Sequence, residues 1–467
     1  MKTKLTFKET ILLGITLFGL FFGAGNLIFP VHLGQLAGSN VVIATIGFII
    51  TGVTIPILAV ASIGITHSNG LQRMCEKKVG KGFAYFFTCL LYLTIGPFFA
   101  IPRCCTTTFT SGVYPLFSNI NEKICLLIFS FIFFALVLYF SLKPSEITKW
   151  VGKVITPIFL VFFTVLLVVA LTNNNTPINS ISADQSYISG SFVNGVLEGY
   201  NTMDAIAGLA FGIIIVNCVR DLGINDGKVV AKEIIKAGVV TAIMMSVIYL
   251  ASTIMGAKSR ALFQISENGG IALAQIAEYY LGKSGLIVLA STIGLACLKT
   301  AIGLVTSCAE TFVAMFPNKL DYRKWAIVFS VFSFVVSNFG LTTLINYSVP
   351  VLMFLYPIAI ILIILGIFSY RTDNKIIFRC TLVGTIFAAV FDFIKALPFG
   401  IDVSFISKVL PLFNLGFSWI LPSVLGLTIG VILYKNKKKN KGCWVILLFV
   451  IYCYTIVIML KKWKKLL

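Results

Sequence analysis

Two polar stretches interrupt runs that are otherwise apolar, and both are built from residues that loosen a helix and bare its main chain. The first is FFGAGNLIFP at 21–30, where Gly23, Ala24 and Gly25 come together, Asn26 adds an amide and Pro30 lacks the donor for the turn above it. The second is EGYNTMDAIAGLAFG at 198–212, where Gly199, Asn201, Thr202 and Asp204 break the apolar pattern. Main chain freed in this way at membrane depth is tolerated only where it lines a cavity or binds something. A carboxylate such as Asp204 costs about 2.5–3.5 kcal/mol at the centre of an inserted helix, so it should face the bundle interior and mark a pathway. The chemistry needs no special side chain. Amides at the start of a half-helix after Gly23 turn a positive dipole end towards a carboxylate, while unwound carbonyls at 201–203 accept from an ammonium. A zwitterion is the ligand that uses both. Close helix packing is the plainer reading of the glycines, but it does not call for Asn26 and Pro30.

The elements that hold these stretches must be membrane helices. The chain has 467 residues, 58% of them hydrophobic and only 12% charged. A soluble domain carries about 25% charged residues, so a water-soluble enzyme is excluded. Twelve apolar runs fall at about 9–29, 41–65, 82–102, 124–142, 151–171, 192–219, 229–255, 284–310, 325–336, 342–368, 376–397 and 410–434. Most are long enough to span a bilayer with tilt, and the ninth is short. The fold expected is an all-α integral membrane protein of about twelve helices. Interruptions in the first and sixth runs, five apart, point to a five-plus-five inverted repeat with the site between the copies. The first repeat would cover about 8–172 and the second about 190–369, followed by two accessory helices at 376–434. A basic linker and an apolar segment at 444–460, whose crossing is left undecided, would close the chain at 435–467. The loop between the seventh and eighth runs contains Gly269-Gly270 and an amphipathic stretch at 271–281, read either as a helix over the outer mouth or as an ordinary surface helix.

The net charge of +20 is explained by the excess of Lys and Arg in cytoplasmic loops, not by a nucleic-acid partner. Alternate loops hold 25 basic residues on one side against 7 on the other, Arg103 among the latter, which places the N-terminus in the cytoplasm. No cleavable signal peptide is evident. Eleven cysteines without a C-x-x-C pattern read as small buried apolar residues, with Cys104-Cys105 an oddity, and His32 and His67 cannot build a histidine-rich metal site. No cofactor is expected.

These elements resemble the bacterial branched-chain amino acid carriers of the LIVCS family, the system II carrier proteins. The likeness covers the chain to about residue 434 and rests on FGAGNLIFP at 22–30, EGYNTMDAIAGLAFG at 198–212 and LACLKTAIGLVTSCAETF at 295–312. It implies a symporter of the bacterial cell membrane for leucine, isoleucine and valine. It also implies the wider amino acid, polyamine and cation transporter fold, with helices 1 and 6 unwound. On that resemblance Gly23, Ala24, Gly25 and Asn26 bind the substrate's carboxylate end, and Tyr200, Asn201, Thr202 and Asp204 its amine. Sodium-coupled members of that fold hold a cation between helix 1 carbonyls and an Ala-x-x-Thr-Ser pattern on helix 8. The matching positions here are the carbonyls of Gly19 and Phe22, then Ala296, Lys299 and Thr300. Lys299 replaces a hydroxyl, and an ammonium there would repel Na⁺ and donate to the same carbonyls.

Lys299 lies too near the middle of its run to snorkel, and Glu310, about 16 Å further along the helix, is too far to pair with it. Three readings stand: it fills the cation site, it faces a water-filled path on a rotated helix, or it serves another role. In the first, it could cycle a proton, leaving the coupling ion as H⁺ or Na⁺, or making the carrier cation-independent. Glu198 and Asp204 share no helix face unless the chain unwinds between them, and Asp392 reads as structural. A polytopic membrane enzyme is the rival function, but there is no G-x-S-x-G and no H-E-x-x-H. ATP-driven transport lacks its phosphate loop, and a channel would show a repeated polar filter motif.

Overall fold

Polar residues cap the helix starts and thereby set the element boundaries. Thr6, Asn121, Asp184, Asp226, Asn268 and Asp321 each accept a hydrogen bond from a first-turn amide. The structure, a computed structural model, describes residues 4–66, 68, 70–117, 119–142, 156–368 and 375–438, and every regular element among them is helical. The segment 444–460, most of the basic linker, His67, Cys443, Cys453, Lys143, Lys149, Lys153 and Arg371 lie outside the described residues.

In chain order the helices are α1 (Phe7–Phe21), α2 (Ala24–Ala37), α3 (Val41–Ile49), α4 (Ile55–Ile65), α5 (Leu71–Lys78), α6 (Lys81–Leu93), α7 (Ala100–Thr108) and α8 (Glu122–Ser141). They continue with α9 (Thr156–Thr172), α10 (Gln185–Glu198), α11 (Asp204–Asp221), α12 (Gly227–Ser259) and α13 (Gly269–Met315). The last four are α14 (Tyr322–Ser337), α15 (Leu341–Ile367), α16 (Lys375–Ala396) and α17 (Ile420–Lys438). Seven stretches of the described residues are long and apolar enough to cross a bilayer, or eight if the pair 185–202 and 204–221, bent by 43°, counts as one span. This is a multi-pass membrane protein. That number counts unbroken stretches of the described residues, in which the first of the twelve expected runs is cut at Phe22–Gly23 and the stretch 24–65 folds back on itself.

The directions of the helices follow from their contacts. α1 and α2 run alongside α12 in the same sense: the Leu5 amide donates to Glu233 Oε2 at 3.2 Å, Thr241 Oγ1 donates to the Gly14 carbonyl at 2.8 Å, and Gly34 abuts Thr253. α3 and α4 run against α12, with Thr45 Oγ1 donating to Thr253 Oγ1 at 2.8 Å, Phe48 edge-on to Tyr249 at 5.0 Å, and Gly64 against Val230. The chain therefore reverses at Gly38, whose φ of +50° suits glycine. α10 and α11 follow α3 and α4 in the same sense: Gly195 lies on Ala44, Thr51 Oγ1 donates to the Val196 carbonyl at 2.7 Å, and Gly212 lies on Val60. The interrupted pair α1–α2 is thus antiparallel to the interrupted pair α10–α11, the relation that inverted repeats demand of their first members.

Arg103, expected in an outer loop after a span ending at 102, is instead buried inside the bundle, at 4% exposure. The reason is where the helix restarts. Gly96 leaves helical geometry beside Pro97, α7 begins afresh at Ala100, and Pro102 falls in its first turn, where no amide donor is needed. The stretch 271–281 is helical and covers one end of the site, with Ala272, Leu273, Ile276 and Ala277 fully buried. It bends into the membrane part of α13 at Gly282, where φ is +62°. Six of the nine described cysteines, Cys104 and Cys105 included, are buried.

Candidate functional site

Both expected interruptions are real breaks in the backbone. After α1, Phe22 (φ −73°, ψ 101°) and Gly23 (φ −130°, ψ −163°) are extended, and α2 starts at Ala24. The second break is a tight turn at Gly199–Thr202 followed by Met203 with φ +63°, a left-handed conformation that a methionine rarely adopts. Such a conformation persists only where the surroundings fix it, and Met203 is buried.

Asn26 joins the two breaks. Its Oδ1 accepts from the Gly23 amide at 2.9 Å, its Nδ2 donates to Asp204 Oδ2 at 2.6 Å, and the same nitrogen meets the Tyr249 hydroxyl. Asn26 and Asp204 are 1% and 3% exposed, so this polar link lies in a dry interior where it is strong and costly to lose. The amides of Ala24, Gly25 and Asn26 open α2 with no capping side chain of the usual kind, since the cap position is Gly23.

Of the carbonyls at 201–203, two are engaged: that of Asn201 accepts from Arg103 Nη1 at 2.7 Å and that of Met203 from the Ala207 amide at 2.9 Å. Thr202 Oγ1 donates to the Gly199 carbonyl, and Asn201 Nδ2 donates to Glu198 Oε2 at 3.1 Å. Tyr200 stacks on Tyr356 with ring centroids 4.0 Å apart. Because the chain unwinds between Glu198 and Asp204, both reach this site, as their sixfold spacing required. Asp392 accepts from Ser418 Oγ at 2.7 Å.

The breaks also meet α13. A Cβ on Gly23 would stand 3.8 Å from Thr300 Oγ1, and that hydroxyl donates to the Ala296 carbonyl at 3.0 Å. Lys299, half-buried, makes no hydrogen bond or ion pair with a described residue. One side of the site is covered: Gly269 abuts the Ile28 carbonyl, Asn268 Nδ2 donates to Thr342 Oγ1 at 2.9 Å, and the Ser266 amide donates to Gln35 Oε1 at 3.1 Å. On the other side, a Cβ on Gly19 or Gly303 would meet nothing within 4 Å, so space remains there.

Arg103, Tyr249 and Tyr356 belong to the site and were not singled out by sequence. The signal for Arg103 was that 104–113 continues without another charge. A tyrosine inside an apolar run carries no comparable signal.

The description "branched-chain amino acid transport protein" fits a family model matching residues 6–437. The branched-chain amino acid permease BrnQ of Lactobacillus delbrueckii subsp. lactis is 47% identical over 428 residues, covering 90% of this chain and 96% of that one. The BrnQ permease of Bacillus subtilis is 42% identical over 447 residues, covering 94% and 100%. Among solved structures, an inward-facing conformation of Mhp1 superposes with TM-score 0.63 at 12% identity, covering 91% of each chain. MhsT in complex with L-phenylalanine gives TM-score 0.55 at 15% identity, covering 93% of this chain and 99% of that one. Those structural likenesses show that the chain shares the fold of these transporters, and the sequence relatives are permeases, not enzymes. The chain belongs to the branched-chain amino acid transport protein family.

Proposed function

We propose that the protein is a symporter carrying leucine, isoleucine and valine into a bacterial cell, driven by a proton gradient. The observation that carries this reading is the 2.6 Å hydrogen bond from Asn26 to Asp204, which sets two antiparallel helix breaks face to face. Gly23, Ala24, Gly25 and Asn26 take the carboxylate at the start of α2, where amides and dipole both favour an anion. Tyr200, Asn201, Thr202 and Asp204 take the amine. The substrate class is that of the BrnQ relatives. The α1 end of the bundle, where space remains beside Gly19, faces the cytoplasm.

Proton coupling is supported at the position between Gly19, Phe22, Ala296 and Thr300. Thr300 Oγ1 is turned to the Ala296 carbonyl, and at the position where the sodium pattern has a hydroxyl this sequence has Lys299, whose ammonium makes no hydrogen bond with a described residue. A lysine offers donors only, so it can replace a cation but cannot ligate one. Uptake of labelled leucine into liposomes under separate gradients tests this. A proton gradient alone should drive accumulation, a sodium gradient alone should not, and Lys299→Thr should gain a sodium response. A strict sodium requirement in the unmodified protein would reject proton coupling.

A further inference from the structure

Arg103 brings a positive charge into the site that neither break supplies. It is 4% exposed, and Nη1 donates to the Asn201 carbonyl at 2.7 Å. Nε and Nη2 donate to no described residue, and no described carboxylate forms an ion pair with the group. Nη2 lies on the α2 side, 3.1 Å from where a Cβ on Gly25 would stand, and the guanidinium sits over the Phe29 ring at 5.0 Å. Buried charges are ordinarily paired, because taking an unpaired ion out of water is costly. Here a forked donor with free N–H groups stands instead beside the first turn of α2, whose start has no side-chain cap.

We propose that Arg103 is a binding residue for the substrate's carboxylate, sharing that group with the amides of Ala24 and Gly25. The inference rests on reading the protein as an amino acid carrier. A helix start alone offers partial charge, whereas a guanidinium offers a full charge and a geometry matched to the two carboxylate oxygens. Selection for a free α-carboxylate follows, so that amino alcohols, amides and esters of the same side chain bind poorly. Because Nη1 holds the Asn201 carbonyl, a carboxylate drawn to Arg103 also bears on the unwound segment opposite. A side chain at Gly25 would have to displace the guanidinium by a few tenths of an ångström, since its Cβ would stand 3.1 Å from Nη2.

The alternative is that Arg103 only braces the second break. Two ligands separate the roles: leucine, and leucinol, which keeps the ammonium and side chain but lacks the carboxylate. Binding is read from the stabilisation each ligand gives the purified full-length protein against thermal unfolding. Arg103→Gln should weaken leucine about 10- to 100-fold, the worth of a charge-assisted hydrogen bond, and leucinol less than about threefold. Arg103→Lys, which keeps the charge and folds more safely, should fall between for leucine and leave leucinol unchanged. Equal losses for the two ligands in either variant, or unchanged leucine binding in Arg103→Gln, would overturn the proposal. Failure of the unmodified protein to bind leucine would instead count against the carrier reading itself.

Discussion

Asn26→Ala is expected to cut leucine uptake at least a hundredfold, measured as initial rate in liposomes at matched protein content. The side chain makes three contacts across the interior, to the Gly23 amide, to Asp204 and to Tyr249. Alanine leaves each without its partner. An unsatisfied buried group costs about 1–3 kcal/mol, and more when it is charged. Two such groups amount to a factor of about a hundred or more at 1.4 kcal/mol per decade. The penalty falls on the arrangement in which the breaks face each other, because parting them lets Gly23 and Asp204 find water. The population able to bind is therefore what shrinks, and apparent affinity falls with it.

The partner exchange is the sharper form of the same test. Asn26→Asp alone sets two negative charges at hydrogen-bond distance in a dry interior, and uptake should fall as far as in Asn26→Ala. Adding Asp204→Asn restores one amide and one carboxylate with their places exchanged. Aspartate at 26 still accepts from the Gly23 amide, and the amide at 204 can donate back, so the double variant should transport at least about tenfold faster than Asn26→Asp. Wild-type rates in Asn26→Ala, or a double variant no better than the single, would mean that the bond from Asn26 to Asp204 does not hold the site together.

The breaks themselves were legible in the sequence because they depend on local backbone chemistry. Glycine, proline and asparagine within ten residues weaken a helix wherever it packs, and Asp204 in an apolar run announces a polar interior. Arg103 was not legible, for its position depends on where α7 restarts after Gly96 and Pro97. A restart a full turn later would have left the arginine outside the helix. The engagement of the Asn201 carbonyl by Arg103, and of Asn26 by Tyr249, joins residues far apart in sequence, so no spacing rule could have announced either. Glycines pose the same difficulty in another form: Gly47 and Gly303 both sit in apolar runs, yet only one has another helix's backbone against it.

That contrast gives the second large effect, in stability. A Cβ on Gly34 would stand 2.0 Å from the Thr253 carbonyl oxygen, and one on Gly256 would stand 2.0 Å from that of Val31. The same reciprocal arrangement joins α3 to α10, where a Cβ on Gly47 would meet the Phe192 carbonyl oxygen at 2.2 Å and one on Gly195 that of Ala44 at 2.0 Å. The obstacle is backbone in all four cases, so no rotamer change relieves it and the helices must move apart. Gly→Ala in an open helix gains about 0.8–1.0 kcal/mol of helix propensity, and Gly303→Ala, with nothing within 4 Å, should hold or raise the melting temperature of the purified protein. Gly47→Ala and Gly256→Ala should lower it, by overpacking worth about 3 kcal/mol each. Combinations then report whether the interfaces are shared. Gly34→Ala with Gly256→Ala should cost much less than the sum of the two, because one separation of α2 from α12 relieves both clashes. Gly34→Ala with Gly47→Ala should cost about the full sum, since those residues lie on different interfaces and each demands its own displacement. Additivity in the first pair, or melting of Gly303→Ala as low as Gly47→Ala, would show that main-chain contact at these glycines is not what holds the four helices together.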